Sequence, residues 1–254
     1  AGLPEGVTPE VLARMGIEWA DIPQAAFQNI VAVTQPEAPV GGLLQRLGPE
    51  AARAVTEELV QSIALGRGPR DAALRVTKAS GMSLSKALTI ARTETLRAHR
   101  EASRMQYAAN PDLIKGFRRF ANKDSRTCMA CIALDGELYE LDEPLNAHIN
   151  CRCTLLPETL TYQDLGLDVP MPDPGENGQD WFANQTRETQ RKMMGDTKLQ
   201  AWENGDVQLK DFAKVTTHPV WGKSATLASL DDMGIKAATY KTPPGTRWVC
   251  ESEC

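Results

Sequence analysis

The 254-residue sequence has few aromatic residues, which make up 6% of the chain. This low share argues against an aromatic-rich β-sandwich. No apolar run approaches the roughly 20 residues that a membrane-spanning helix needs, and the sequence does not open with the charged and apolar regions of a signal peptide. We therefore expect no membrane association and a reducing cytoplasm, where clustered cysteines more often bind metal than form disulfides.

Common catalytic motifs are also missing. The sequence has no Gly-rich phosphate loop, no Gly-x-Ser-x-Gly elbow and no His-Glu-x2-His pair. The net charge of −5 argues against a protein that is basic all over, such as a DNA-condensing factor, although a local basic face remains compatible with it. We predict that the chain is not an enzyme.

Residues 1 to about 110 carry a helical pattern. One predicted helix starts at Thr8, and a second starts at Pro49 with apolar residues four positions apart. A short third helix is predicted from Arg70 to Ala79 and is closed by Gly81.

The strongest helical segment runs from Ser83 to Ala109 and contains neither Gly nor Pro. Apolar and small residues recur in it at alternating spacings of four and three, which predicts a helix packed along its whole length on a neighbour. The predicted seam consists of Leu84, Leu88, Ala91, Thr95, Ala98, Ala102 and Met105.

The helical period disappears from Asn110 to Pro157. Short apolar and aromatic pieces flank turn residues there, and Asp135-Gly136 is a strong hairpin-turn signal. A closing strand is predicted from Cys151 to Leu156. We predict an α+β fold in which a mainly helical N-terminal part places its long helix on a small Cys/His-rich β module.

A segment rich in Pro and Gly, from Val169 to Asp180, indicates a linker, and short helices are predicted to follow it. These helices are Trp181 to Met194, Lys198 to Glu203, Gln208 to Val215 and Ala225 to Met233. The predicted divisions are a helical region (1–82), the core (83–158), a linker (159–180) and a C-terminal helical extension (181–254).

Four cysteines and one histidine fall within 26 residues, as Cys128-x2-Cys131 followed by His148-x2-Cys151-x-Cys153. A Cys-x2-Cys turn lets two thiolates reach one ion, and a second group about 17 residues later can complete a tetrahedron. We predict a structural zinc ion, because four protein ligands leave no open position for water.

The preferred zinc ligands are Cys128, Cys131, Cys151 and His148, with Cys153 as the alternate fourth ligand. Two other interpretations remain open: a pair of disulfides joining the two Cys pairs, and a set of small buried thiols.

The ordered motifs resemble the phage head morphogenesis family, also called the Mu protein F-like or minor head protein family. The residues that carry the resemblance are Ala87-Leu-Thr-Ile-Ala-Arg-Thr-Glu94, Asp124-Ser-Arg-Thr-Cys-Met-Ala-Cys131, Leu134-Asp-Gly136 and His148-Ile-Asn-Cys-Arg-Cys153. The core match runs from about residue 50 to 158. One departure is visible, since Ile149 stands where the family usually has Pro, which loosens the turn before Cys151.

The resemblance implies a minor capsid protein of a tailed bacteriophage. It would be assembled in the host cytoplasm and retained in the virion at the portal vertex. Its implied partners are the portal protein and the major capsid protein, and its implied role is head morphogenesis with contact to the DNA that passes through.

The motif residues outside the cluster are expected to be structural. They are Arg92, Glu94, Asp124, Arg126, Asp135 and Gly136. Arg92 and Glu94 are two positions apart in a helix and do not face each other. We expect both to pin the β module to the long helix through buried polar contacts.

A local excess of basic residues surrounds the cluster, and Glu and Asp are interspersed with it. Five arginines are candidate contacts with DNA or the portal: Arg97, Arg100, Arg104, Arg118 and Arg119. A solvated, salt-bridged face is the favoured interpretation. The alternative functions are a zinc module that binds nucleic acid and, less favoured, a Cys/His-dependent enzyme.

Overall fold

A computed structural model describes residues 47–161, 175–218 and 222–236, together with the single positions 13, 16, 20, 21, 163 and 240. The helix predicted at Thr8 lies outside the described residues. The α-helices are α1 (Pro49–Ala64), α2 (Pro69–Ser80), α3 (Leu84–Ala108), α4 (Met129–Ala133), α5 (Gly178–Ala183), α6 (Arg187–Met194) and α7 (Asp196–Glu203). The strands are β1 (Ile114–Phe120), β2 (Leu138–Tyr139), β3 (Thr154–Thr159), β4 (Ala213–His218) and β5 (Gly222–Leu227).

The first three helices pack on one another, and local residues set their ends. Pro49 and Pro69 occupy the first turns of α1 and α2, where a missing N–H removes no helical hydrogen bond. Gly81 ends α2 in the left-handed conformation at φ 70°, which a side chain would disfavour. The buried side chains between the helices include Leu59 and Ile90. The predicted helices at Pro49 and Arg70 are confirmed.

The long helix α3 is confirmed, and its first turn is capped by the hydroxyl of Ser83, which accepts from the amide of Lys86. The predicted seam is confirmed only at Ala91 and Ala98, which are buried, whereas its other five members are half-buried. The buried residues instead include Glu94, which pairs with Arg97 of the same helix, and Arg100, which donates to carbonyls of the loop before β3. The periodicity of apolar residues in the sequence does not predict that charged residues such as these are buried.

The β module is a three-stranded antiparallel sheet in the order β2-β1-β3. The rings of Phe117 on β1 and Tyr139 on β2 stack with their centroids 5.4 Å apart. The predicted strand from Cys151 to Leu156 is wrong in its start, since β3 begins at Thr154 and both cysteines lie in the preceding loop. Because these two cysteines are not held in a strand, the thiols of both can lie on the same side as Cys131.

The Asp135-Gly136 signal marks a turn, but this turn is not a two-residue hairpin. It follows α4 and leads into β2, and Gly136 has φ 84°. The turn is joined to β1 because the amide of Gly136 donates to the carbonyl of Arg119, and the amide of Arg119 donates to the carbonyl of Glu137. The Asp135-Gly136 pair therefore predicted the turn correctly, but it did not predict that helix α4 comes directly before the turn.

The C-terminal part differs from the predicted row of helices. The predicted helix from Trp181 to Met194 is two helices, α5 and α6, because the hydroxyl of Thr186 caps a new start. The segments Gln208–Val215 and Ala225–Met233 were predicted helical, but each combines a short 3-10 turn with a strand. The strands β4 and β5 pair antiparallel, and β-branched residues such as Thr216 and Thr226 suit that pleated surface.

The predicted linker (159–180) overlaps regular structure at both ends, since β3 includes Thr159 and α5 begins at Gly178. Residues 164–174 lie outside the described residues. Short helix α4 packs its Ile132 in one core with Phe182 of α5 and Phe212 just before β4. The α+β fold class is confirmed, and the β module and the C-terminal part share this core.

Within the described part of the chain, no helix is both long and apolar enough to cross a bilayer.

We expect Leu59→Ala to lower the free energy of unfolding by about 2–5 kcal/mol, because Leu59 is 0% exposed between α1, α2 and α3. Leu65→Ala is the matched control, since that leucine is 62% exposed at the end of α1 and its truncation should change stability by less than about 0.5 kcal/mol. Urea denaturation followed by circular dichroism measures both. Equal effects of the two substitutions would contradict the helical packing.

Candidate metal centre

The first half of the cluster lies at the start of α4. Cys128 occupies the N-cap position, and its carbonyl accepts from the amides of Cys131 and Ile132. This tight turn places Cys128 and Cys131 on the same end of the helix. Immediately before it, the amide of Thr127 donates to the carbonyl of Asp124, which closes the preceding turn.

The second half of the cluster is the loop from His148 to Cys153. Asn150 adopts the left-handed conformation at φ 57°, and the amide of Cys151 donates to the carbonyl of His148, so the loop folds back on itself. The amide of Asn150 donates to the hydroxyl of Thr93 at 3.1 Å, which ties the loop to α3. Neither Thr93 nor Asn150 was singled out from the sequence.

Sulfur and nitrogen contacts join the two halves. Nε2 of His148 lies 3.1 Å from Sγ of both Cys128 and Cys131, and Sγ of Cys131 lies 3.7 Å from Sγ of Cys151. The donor atoms form two groups that share Cys131, and within each group all lie within 4.8 Å of one another. The groups are Cys128, Cys131 and His148, and Cys131, Cys151 and Cys153. The structure thus brings all five predicted ligands together, and the four described cysteines carry free thiols.

The orientation of the His148 ring suits a metal ligand. Nδ1 lies 2.6 Å from the carbonyl oxygen of Ile149, so Nδ1–H donates there and the lone pair of Nε2 faces the sulfurs. Backbone carbonyls commonly fix metal-binding histidines in this way. A cavity of about 30 Å³ lies beside the donors, which is room for a single ion or water. The residues fit a metal ion, and the cluster could bind one.

Two buried arginines face the cluster. Nη2 of Arg119 lies 3.3 Å from Sγ of Cys131 and 3.8 Å from Sγ of Cys151. Nη1 of Arg100 donates to the carbonyls of Cys151 and Cys153. Burial lowers the pKa of Arg119, but the negative charge of the neighbouring thiolates outweighs burial, and the pKa is raised. The two cations stabilise a thiolate at the cluster, the form that binds metal, whereas hydrogen bonds with neighbouring thiols raise the pKa of Cys131 and Cys153.

One thiol of the cluster is especially acidic. Hydrogen bonds from Cys131 and Cys153 hold the pKa of Cys151 well below its ordinary value, against the opposing effect of burial. Such a thiolate can persist inside the protein only because cationic or hydrogen-bonding groups face it.

The motif residue Asp124 fixes the outer side of the cluster. Its two carboxylate oxygens accept from Nη1 and Nη2 of Arg152 at 2.7 and 2.6 Å, in a bidentate pair. The hydrogen bond from Arg152 holds the pKa of Asp124 well below its usual range. Arg126 contacts the same carboxylate at 3.5 Å but is largely exposed. The pair joins the turn before Cys128 to the loop that carries Cys151 and Cys153.

The other motif residues divide into buried and exposed. Glu94 is fully buried on α3 and has a pKa raised by burial, but it accepts from Arg97 of the same helix at 2.7 Å, so this contact does not pin the β module as expected. Asp135 is buried too, and accepts from the amide of Ala121 at 2.6 Å. Arg92 is exposed, so the expectation that it makes a buried contact is wrong. Its position two residues from Glu94 turns it towards solvent.

The five arginines expected to contact DNA or the portal do not form one open basic face. Arg97, Arg104 and Arg118 pair with Glu94, Glu101 and Glu158. Arg100 and Arg119 are buried, which corrects their assignment as surface contacts. The alternation of side chains along β1 could have indicated that Arg119 is buried, because Arg119 lies on the same sheet face as the buried Phe117.

The fold and the cluster together define a small α+β module whose helix, loop and sheet meet at a closed Cys/His centre. A family described as Phage Mu protein F like protein matches residues 53–156, from α1 to β3. Residues 53–156 are therefore similar to the Mu protein F-like family, the same family that the sequence motifs resemble. The match covers the module and both halves of the cluster.

The minor head protein GP7 of Bacillus phage SPP1 is 32% identical over 158 residues, which cover 54% of this chain and 49% of that protein. The chain therefore spans about half the length of the curated relative that it matches. No solved structure matches the chain.

We expect Asp124→Asn to destabilise the protein at neutral pH by up to about 1 kcal/mol, since the bidentate pair is partly exposed. The folded-state pKa of Asp124 is depressed, so the pair stabilises fully above the unfolded pKa of about 3.9 and loses its effect as the pH falls through the folded value. The difference between variant and wild type should therefore shrink below about pH 4. Unfolding free energies measured from pH 7 downward test this, and a difference that grows in acid would contradict it.

The matched control is Asp71→Asn, which removes an exposed i,i+4 partner of Arg75 on α2. This change should alter stability by less than about 0.5 kcal/mol at any of these pH values.

Proposed function

We propose that the protein is a minor head protein of a tailed bacteriophage and acts in head morphogenesis at the portal vertex of the capsid. It assembles in the host cytoplasm and remains in the virion. The single observation that carries the proposal is the Mu protein F-like match over residues 53–156, which coincides with the module built around the Cys/His centre. The 32% identity to a minor head protein supports the same role.

The geometry of the centre supports docking rather than catalysis. Its cavity of about 30 Å³ is far below the roughly 300–1,000 Å³ of small-molecule sites. A larger cleft of about 880 Å³ lies between the Asp135 turn and the C-terminal part, but the cluster residues are not among its lining residues. A thiolate shielded from substrate suits a structural role, so we propose that the protein is not an enzyme.

We further propose that the centre holds one structural zinc ion. Thiolate and imidazole donors select zinc among the common cytoplasmic metals, and a set of protein donors with no open position is typical of structural sites. Bound zinc would join the start of α4 to the loop before β3, and hydrogen bonds from Thr93 and Arg100 hold that loop on α3. That restraint would present a rigid module to the partner.

The proposed partners are the portal protein first and the major capsid protein second, with genomic DNA passing nearby. The pairing of Arg97, Arg104 and Arg118 with carboxylates favours a protein surface over a phosphate backbone, because each cation already has a partner.

Co-sedimentation with the portal oligomer and procapsids of the phage that encodes the chain tests the proposed role. We expect the purified protein to sediment with them and Cys128→Ser/Cys131→Ser to lose association, because the module loosens. Cys250→Ser, the same chemical change outside the motif, is the control and should still associate. A folded wild-type protein that binds neither particle would refute the role, and steeply salt-dependent DNA binding instead would favour a nucleic-acid-binding module.

Elemental analysis tests the zinc. We expect one zinc per chain and a lower melting temperature after chelation, restored by added zinc, because a ligand bound only to the folded state stabilises it by about 2.7 kcal/mol at 100 times its Kd. A fully folded, metal-free protein whose melting is unaffected by zinc would refute the site without touching the proposed role in the head.

A further inference from the structure

The edges of the three-stranded sheet are protected from pairing with another chain. An exposed edge strand offers N–H and C=O groups to other strands, so proteins usually cover or interrupt such edges. At one edge, β2 has only two residues. At the other edge, the hydroxyl of Tyr107 donates to the outward carbonyl of Leu155 on β3, and Pro157, which has no N–H, occupies the next outward position.

The hydrogen bonds around the β4–β5 pair show which groups of β4 point outward. Val215 lies opposite Ala225, whose amide donates away from β4 to the carbonyl of Asn146 at 3.0 Å. This is therefore a non-hydrogen-bonded pair, and such pairs recur at every second residue of an antiparallel ladder. The N–H and C=O groups of Val215 and Thr217 thus point away from β5. The bond to Asn146 covers the outer edge of β5.

The outward edge of β4 is open in the part of the chain that the structure describes. No described residue donates to or accepts from the outward backbone groups of Val215 and Thr217. The Val215 side chain is 57% exposed, and its branched shape suits a strand with neighbours on both sides. The strand contains no proline, and its lysine, Lys214, already pairs with Asp232. This edge therefore lacks the features that close the other edges.

The open edge is complementary to a second copy of itself. In two β4 strands that run antiparallel about a two-fold axis at Val215, that residue pairs with its copy, and Ala213 of each chain pairs with Thr217 of the other. All three positions point outward, so N–H and C=O groups meet across the axis, except that the amide of Ala213 already donates to the carbonyl of Lys210. The two exposed valines lie opposite each other and cover one another.

Charges at the two ends of β4 favour the antiparallel direction. At the other end of the strand from its start, Lys223 is exposed directly across from Thr217. At the start of β4, Ala213 lines the cleft of about 880 Å³, together with one lysine, Lys210, and five carboxylates: Asp135, Glu137, Asp206, Asp211 and Asp232. Antiparallel pairing brings the basic end of one copy towards the acidic cleft of the other, whereas parallel pairing would bring like charges together.

We propose that the open edge of β4 pairs with the same edge of a second copy, so that two β4–β5 hairpins form one four-stranded antiparallel sheet across a two-fold axis. Each copy uses the same patch, as in other two-fold dimers. A few backbone hydrogen bonds and one pair of valines bury less than the roughly 1,200 Å² of stable complexes, so the dimer is weak and depends on concentration. The inference depends neither on zinc nor on the proposed role in the head.

Proline at position 215 tests the pairing, because it removes an N–H that the dimer uses and that the β4–β5 ladder does not. In sedimentation velocity of the full chain, we expect the wild type to shift from monomer towards dimer as its concentration rises. Val215→Pro should stay monomeric at every concentration. Val215→Thr is the matched control and should still dimerise, because it keeps both the N–H and a branched side chain.

Circular dichroism checks that both variants at position 215 fold. A wild type that stays monomeric at every concentration overturns the proposal. A folded Val215→Pro that dimerises as well as the wild type overturns it too.

Charge reversal tests the direction of pairing. Lys223→Glu places a carboxylate towards the acidic cleft of the second copy, so we expect the dimer to weaken by about two- to tenfold, and less at high salt. Lys86→Glu, an exposed change in the first turn of α3, is the control and should leave the dimer unchanged. A Lys223→Glu dimer as tight as that of the wild type overturns the antiparallel arrangement.

A measurement on the unsubstituted chain covers the case in which a variant does not fold. In an equal mixture of carbon-13-labelled and unlabelled chains, isotope-filtered NOEs report contacts between copies alone. We expect such contacts between the two Val215 side chains and between Ala213 and Thr217. Contacts between copies that come from another surface, with none from β4, overturn the proposal.

The edge has one other occupant that these experiments would reveal. A monomeric wild type whose Val215→Pro variant loses co-sedimentation with the portal would assign the edge to a strand of that partner and overturn pairing between copies. Failure of the wild type to bind the portal refutes only the proposed role in the head.

Discussion

The module depends on the meeting of thiols and an imidazole from two segments that have little regular structure of their own. The start of α4 supplies Cys128 and Cys131, and the loop before β3 supplies His148, Cys151 and Cys153. Around them, α3 contributes Arg100 and Thr93, and β1 contributes Arg119. These contacts join the long helix, the short helix and the sheet around the same small volume.

Much of this arrangement was predictable from the sequence. The Cys-x2-Cys and His-x2-Cys-x-Cys spacings predicted the gathering of the five donors, because short spacings fix which side chains share a turn. The helix α3 followed from an uninterrupted stretch of helix formers, and Pro49 and Gly81 marked the limits of its neighbours. These signals are local, which is why they can be read from a single sequence.

The remaining features depend on tertiary partners. Arg100 and Arg119 look like surface cations in the sequence, yet each is buried because carbonyls and sulfurs far along the chain face it. The strands β4 and β5 were missed because each is only six residues long and follows or precedes a short turn that suggested a helix.

The proposed zinc ion would stabilise the module by joining two segments of little regular structure. Diffraction data collected on both sides of the zinc absorption edge from crystals of the purified protein test it most directly. The proposed zinc site predicts a single anomalous peak within the cluster, next to Cys128, Cys131 and His148. A metal-free cluster with disulfide density between its cysteines, or with sulfurs that lie apart, would contradict it.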